Sequence, residues 1–308
     1  MDNLSVIERE LLKKVADIEA VPAGAYNIRE NGALKGRNVT ENIDIVTKTD
    51  KPGIDIYIKP NTKNERVDIP VILTKSGLKD LVYNDFYIGE GADVLIVAGC
   101  GIHNPGEKTA RHDGVHTFHV GKNAKVRYVE KHYGEGEGTG ERVLNPTTNI
   151  EIEKGGYLEM ETVQIKGVDS AVRTTSAVLF DDATLIIHEK IMTHGKQTAE
   201  TRFSVDLNGN NSGAHVVSRA VAKDDSHQVY NSVVNGNAKC NGHTECDAII
   251  MDNGTVSAVP RINANFVDAT LIHEAAIGKI AGEQLVKLMT LGLSEQKAEE
   301  EIVNGFLK

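Results

Sequence analysis

From about residue 21 to residue 272, apolar positions come in short runs, each closed by a polar turn of Gly, Asn or Asp. The recurring phrase is apolar strand end, polar turn, small residue, apolar strand. It reads IGEGADVLIV at 88–97, VGKNAKVRYV at 120–129 and IEKGGYLEM at 152–160, at intervals of 32 residues. It returns as LFDDATLII at 179–187, IMDNGTVSAV at 250–259 and FVDATLI at 266–272, with later intervals near 27 and then about 15. Recurrent units of this kind mark a solenoid. Helical periodicity is almost missing between the strands. That argues against a doubly wound α/β fold, whose parallel strands need helical crossovers. The pattern predicts an all-β core built as a parallel β-helix. A β-sandwich would use the same short strands but gives no reason for the repeated phrase.

The ends of the chain read differently. Leu4, Ile7, Leu11, Leu12, Val15 and Ile18 share one helical face, which predicts an amphipathic helix over residues 1–20. At the other end, TLIHEAAIGKIAGEQL at 270–285 passes from a strand-like run into helical spacing. It places His273 and Glu274 at the seam, where the strand alternation stops and both side chains reach one side. One helix is expected over about 278–291 and a second from Ser294, a favourable N-cap, with Gly292 between them. An open solenoid end exposes unpaired strand edges, and these terminal helices are the natural caps. The chain divides into a leader at 1–74, a β-helix core at 75–274 and a helical segment at 275–308.

Charge and composition narrow the function. A net charge of −10, from 44 acidic and 34 basic residues, argues against general nucleic-acid or anionic-membrane binding, which needs clustered Lys and Arg. No apolar run approaches the length of a membrane span. The N-terminus does not read as a signal peptide, so the three cysteines are expected in a reducing, cytoplasmic setting.

Two stretches gather metal-binding residue types. In VAGCGIHNPGEKTARHDGVHTFHV at 97–120, Cys100 and His103 precede His112, His116 and His119. This spacing is similar to a zinc set but lacks the second cysteine of a finger. Gly101, Gly106, Lys108 and Thr109 imitate a phosphate loop. Glu107 stands where phosphate would sit, and nucleotide binding is rejected. In AKCNGHTECDAII at 238–250, Cys240, His243 and Cys246 suit zinc, copper or iron–sulfur species. Asn241-Gly242 predicts a turn that would put Cys240 and Cys246 on successive strands. Alternation puts Thr244, Cys246, Ala248 and Ile250 on one face, where Cys246 also reads as a core thiol. No hydrolase triad order, nucleophile elbow or zincin motif is present.

AGCGIHN around Cys100, GHTECDAII around Cys246, LIHEAAIGKI around His273 and the ending LGLSEQKAEEEIVNGF together resemble the SufB/SufD family of iron–sulfur cluster assembly proteins, from about residue 75 to 308. The chain looks most like the short, single-type members of archaea and anaerobic bacteria. The resemblance implies a right-handed parallel β-helix that pairs with a second copy, so that a transient iron–sulfur cluster forms at the dimer interface. It implies a SufC-like ABC-type ATPase bound through the C-terminal helices, and apo-proteins that accept the cluster. The chain itself would be a scaffold, with ATP hydrolysis left to that partner. Cys246 matches the cysteine of a family "QCD" stretch, here "ECD", and His273 and Glu274 match its "HEA" stretch. These three are the expected ligands, and Cys100, in a "GC" stretch, is the expected sulfur-accepting or relay thiol. Cys240 and His243 have no counterpart in the family pattern. The alternative is a zinc- or iron-dependent metalloenzyme built on Cys100, His103, His112 and His116.

Overall fold

Each coil of the chain lays down one strand in each of two facing sheets, and about eight coils stack into a parallel β-solenoid. The computed structural model describes residues 4–308. The first sheet runs in spatial order Ala33–Asn38, Ala25–Glu30, Lys63–Leu73, Asp93–His103, Lys125–Glu135, Tyr157–Lys166, Thr184–Thr193, Gly213–Ala222, Asn241–Ile250, Thr270–Gly278. The second runs Ile43–Thr47, Gly53–Ile58, Lys79–Ile88, Ala110–Val120, then the broken strand Arg142–Leu144 and Thr147–Ile152. It continues with Ser170–Leu179, Thr198–Leu207, His227–Gly236 and Thr255–Ala264. Antiparallel pairs close the N-terminal end of both sheets.

The corners explain the repeated phrase. Asn61, Gly91, Asn123, Gly155, Asp182 and Asn211 hold one corner in successive coils, all with φ between 53° and 68°. Each donates its backbone N–H to the carbonyl of the next coil's corner. Only Gly, Asn and Asp enter this left-handed region readily, so the turn residues repeat with the coil. Register advances by 32 residues per coil from Asp93 to Tyr157 and by 27 to 29 thereafter. The short interval near 15 joins two corners of one coil: IMDNGTVSAV leads into the second sheet and FVDATLI into the first.

Inward side chains alternate with outward ones. Stacked aliphatics and the pair Phe86–Phe118, ring centroids 4.5 Å apart, fill much of the lumen.

The terminal helices lie on the outside of the first sheet and do not cap its ends. Val6–Ala16 opens with a Ser5/Glu8 capping box and buries Leu11, Leu12 and Val15 against Ile72 and Val97, while Ile7 is exposed. A Cβ on Gly99 would stand 2.1 Å from the Val15 carbonyl oxygen, and one on Gly101 would stand 3.2 Å from Leu11. The glycines flanking Cys100 therefore let the helix approach. Gly99→Ala is expected to lift this helix, at a cost of about 1–3 kcal/mol. A lower thermal midpoint with early proteolysis confined to the N-terminus would show it.

At the C-terminus the helices are Gly282–Thr290 and Glu295–Phe306. The Ser294 side chain accepts from the Lys297 N–H, and Gly292 lies between the helices with φ 95°. The second packs Val303 against Val221 on the outer face. The first buries nothing. The last strand of each sheet, Thr255–Ala264 and Thr270–Gly278, has no neighbour beyond it.

Candidate functional site

The Asn241–Ile250 strand turns Thr244, Cys246 and Ala248 into the lumen and His243, Glu245 and Asp247 outward, as period-2 alternation requires. Cys246 is fully buried. The expected turn at Asn241-Gly242 is not formed, because both residues pair in parallel with the strands on either side. Cys240 is the corner residue just before the strand, buried in the apolar core. Burial pushes its thiol pKa up.

The seam at 273–274 is also absent. The last strand continues to Gly278, since the neighbouring strand supplies a full ladder of partners up to Ile249. Alternation therefore persists. His273 shares the lumen-side face with Cys246, and Glu274 lies on the outer face. His273 stands opposite Thr244, with Nδ1 2.7 Å from the Thr244 hydroxyl, and its buried Nε2 has no partner. Burial, then the nearby His243, lowers its pKa, so a neutral imidazole is presented. Glu274 instead lies 3.8 Å from His243 and is cross-strand to Glu245. Among the described residues, His243, Glu245 and Glu274 are the one group of three or more His, Cys, Asp or Glu whose ligand atoms lie within 4.8 Å of one another.

Cys100 faces the same lumen five strand steps away along the first sheet. It shares a closed pocket with His112, His116, Glu130 and His132, and no room for a water molecule remains among them. His103 points away to the outer face, 3.7 Å from Glu135, and His119 stacks outside on Tyr87. The four residues Cys100, His103, His112 and His116 therefore do not converge on one metal position.

Between the two thiols runs a column of polar side chains that the sequence reading did not single out. Stacking register places Glu130, Thr162, Glu189, Ser218 and Cys246 one above another on the first sheet. Arg173, from the second sheet, reaches Glu130 at 2.5 Å and Glu189 at 3.3 Å. Ser218 donates to Glu189 at 2.8 Å, and Thr201 donates to it at 3.0 Å. Each of these polar residues is less than a tenth exposed. The signal for them was an inward-parity charge inside an apolar strand, as in TLIIHEKIMT around Glu189.

The column separates two unlike thiols. At Cys100, burial opposes ionisation, but His112 and His132 outweigh it and lower the pKa to about 7. Burial likewise opposes charge on His112, where Cys100 and Asp80 prevail and raise it to about 10. His132 is raised to about 9 against burial, chiefly by Glu130. Burial and the neighbouring cations, against the pull of Glu130, take His116 down to about 4. At Cys246, burial and then the Glu189 and Asp247 carboxylates push the thiol up to about 12. One thiol is readily ionised; the other ionises only when a cation draws off its proton.

A family model described as SUF system FeS cluster assembly, SufBD core domain, matches residues 83–306. An iron-sulfur cluster assembly SufBD family protein of Archaeoglobus fulgidus is 30% identical over 263 residues, covering 84% of this chain and 70% of its own. One from Methanocaldococcus jannaschii is 28% identical, covering 76% and 74%. Another from Pyrococcus horikoshii is 28% identical, covering 82% and 77%. The stacked coils, the thiols at inward positions and these matches place the chain in one family: it belongs to the SufBD proteins, which serve iron–sulfur cluster assembly.

Proposed function

We propose that this chain is the scaffold on which a nascent iron–sulfur cluster is held, as transient cargo, where two copies of the chain meet. The observation that carries the reading is the unbroken polar column from Cys100 to Cys246 through an otherwise apolar lumen. Buried charges are costly, and packed apolar residues would stabilise the solenoid at least as well. Retaining them coil after coil therefore points to a path for sulfur between the thiols. Cys100 is the accepting or relay thiol. Cys246 and His273 are the lumen-side ligands. Glu274 contributes from the outer face, where it joins His243 and Glu245 in a set of oxygen and nitrogen donors suited to ferrous iron. A cluster held by few thiolates and completed by imidazole and carboxylate is released more readily than one held by four thiolates.

The free final strands and their exposed Val259, Ile262 and Ile272 support pairing with a second copy. The first C-terminal helix carries exposed Val286 and Met289, with Leu291 following it, which supports docking of a SufC-like ATPase. Hydrolysis would belong to that partner, in the cytoplasm, with apo-proteins taking the finished cluster.

Anaerobic reconstitution with ferrous iron and sulfide tests the reading. Wild type is expected to gain charge-transfer absorption with matching iron and sulfide. Cys246→Ala is expected to fall to background, and His273→Ala to retain less than wild type. A wild-type chain that takes up no cluster, or a Cys246→Ala chain that takes up as much, would end the proposal.

A further inference from the structure

Cys100 has a hydrogen-bonded acid–base pair at its side. Asp80 Oδ2 lies 2.9 Å from His112 Nδ1, and Asp80 Oδ1 accepts from Arg29 at 2.9 Å. Asp80, His112 and Cys100 are all more than nine-tenths buried. The second ring nitrogen of His112 is buried without a hydrogen-bond partner and borders the pocket that holds Cys100. It lies 3.2 Å from where a Cβ on Gly114 would stand, so the absence of a side chain there keeps the nitrogen uncovered. The coil wall is also interrupted at this level. The strand of the second sheet breaks at Asn145-Pro146, and both residues line the pocket.

We propose that Asp80, His112 and Cys100 form a buried relay in which His112 is the proton acceptor for the Cys100 thiol, Asp80 is the positioning residue for His112, and the substrate is a persulfide. This rests on the reading of Cys100 as the sulfur-accepting thiol and names the chemistry at that site. Nucleophile, base and orienting carboxylate stand in the order that activates a thiol. His112 takes the thiol proton, and the thiolate attacks the terminal sulfur of a donor R–S–SH. A sulfur–sulfur bond forms to Cys100 as the R–S–S bond breaks. The electron pair leaves on the R thiolate, which receives the proton back from His112. The products are Cys100–S–SH and R–SH, and no external oxidant or reductant is consumed.

The charged and titratable groups facing Cys100 are His112 from the second sheet, with Asp80 and Arg29 behind it, and His132 from the next coil. Glu130, His116 and Arg173 lie beyond them. Bringing Cys100 to about pH 7 by this surrounding gives the test its window.

The experiment uses the full chain with Cys240→Ser and Cys246→Ser, so that Cys100 is the remaining thiol. Iodoacetamide labelling rates are read by mass spectrometry across about pH 5 to 10. The thiolate is the reactive form, so the rate rises with pH through the thiol pKa. A midpoint near 7 is expected. His112→Gln and Asp80→Asn are each expected to move it up by about one unit, slowing labelling at neutral pH about tenfold. Glutathione persulfide, used as the donor, is expected to add one sulfur to Cys100 with the same ordering of rates. A common midpoint near 8.5, the ordinary thiol value, in all three chains overturns the relay. So does complete resistance of folded Cys100 to both reagents. If His112→Gln does not fold, the parent profile and Asp80→Asn decide. A reconstituted cluster beside an unshifted profile sinks the relay alone, whereas a shifted profile without any cluster sinks the scaffold reading.

Discussion

Arg173→Ala is expected to destabilise the chain by about 3–5 kcal/mol, the usual cost of removing one partner from a buried ion pair. Arg173 is enclosed between Glu130 and Glu189, and its removal leaves two buried carboxylates facing each other. The neighbouring His132, 3.5 Å from Glu130, offsets only part of that charge. The sign with pH follows from Glu130. In the native chain burial opposes its ionisation, but His132 and Arg173 prevail and hold its carboxyl well below the usual range. Its contribution is therefore present above the unfolded carboxyl pKa and lost as pH falls through the lower native one. Without Arg173 that advantage shrinks, so the gap between wild type and variant widens from acid to neutral pH. Denaturant unfolding at pH 4 and pH 7 measures both. A loss below about 1 kcal/mol at neutral pH would mean that Arg173 is not what neutralises the column.

The second large effect concerns pairing. If two copies meet through their open final coils, Val259→Asp with Val267→Asp is expected to weaken the dimer at least about a hundredfold, roughly 2.7 kcal/mol. Val259 is 57% exposed and Val267 92%, so the monomer fold loses little. In the dimer each new carboxylate would have to shed water without a partner. The two free edges are not equivalent. Thr255–Ala264 carries Pro260 and Arg261, both poor companions for a new strand, whereas Thr270–Gly278 carries no proline. Analytical ultracentrifugation over a concentration series reads the outcome. An unchanged dimer would move the interface elsewhere, and a wild-type monomer at all concentrations would remove the homodimer.

The solenoid was legible because its corners demand Gly, Asn or Asp at a left-handed position, and that demand repeats with the coil. Cys246 could be assigned to the lumen from alternation alone. The seam at His273 could not. Ala275, Ala276 and Gly278 carry no strand preference, and only the ladder supplied by the neighbouring strand holds them extended. The two residues consequently point to opposite sides, and the ligand trio read from adjacency becomes two lumen-facing residues and one outer residue. The helices were legible as helices, but their place was not, because an amphipathic stripe says what is buried and not against what. Asp80, Glu130, Arg173 and Glu189 escaped for another reason. Each looks like one more charge on a charged chain until coil register stacks it on its counterparts.

That register has a consequence for how such a protein can change. Successive strands of the first sheet are separated by about 4.8 Å, so five steps put roughly 24 Å between the strands of Cys100 and Cys246. The solenoid acts as a ruler graduated in whole coils. Adding or removing one coil of 27 to 29 residues would preserve both ends and both thiol environments while resetting their separation by one graduation. An insertion of any other length would turn the inward column outward beyond that point. Distance between the two chemistries is thus quantised, and it can be altered only in units that keep the lumen in phase.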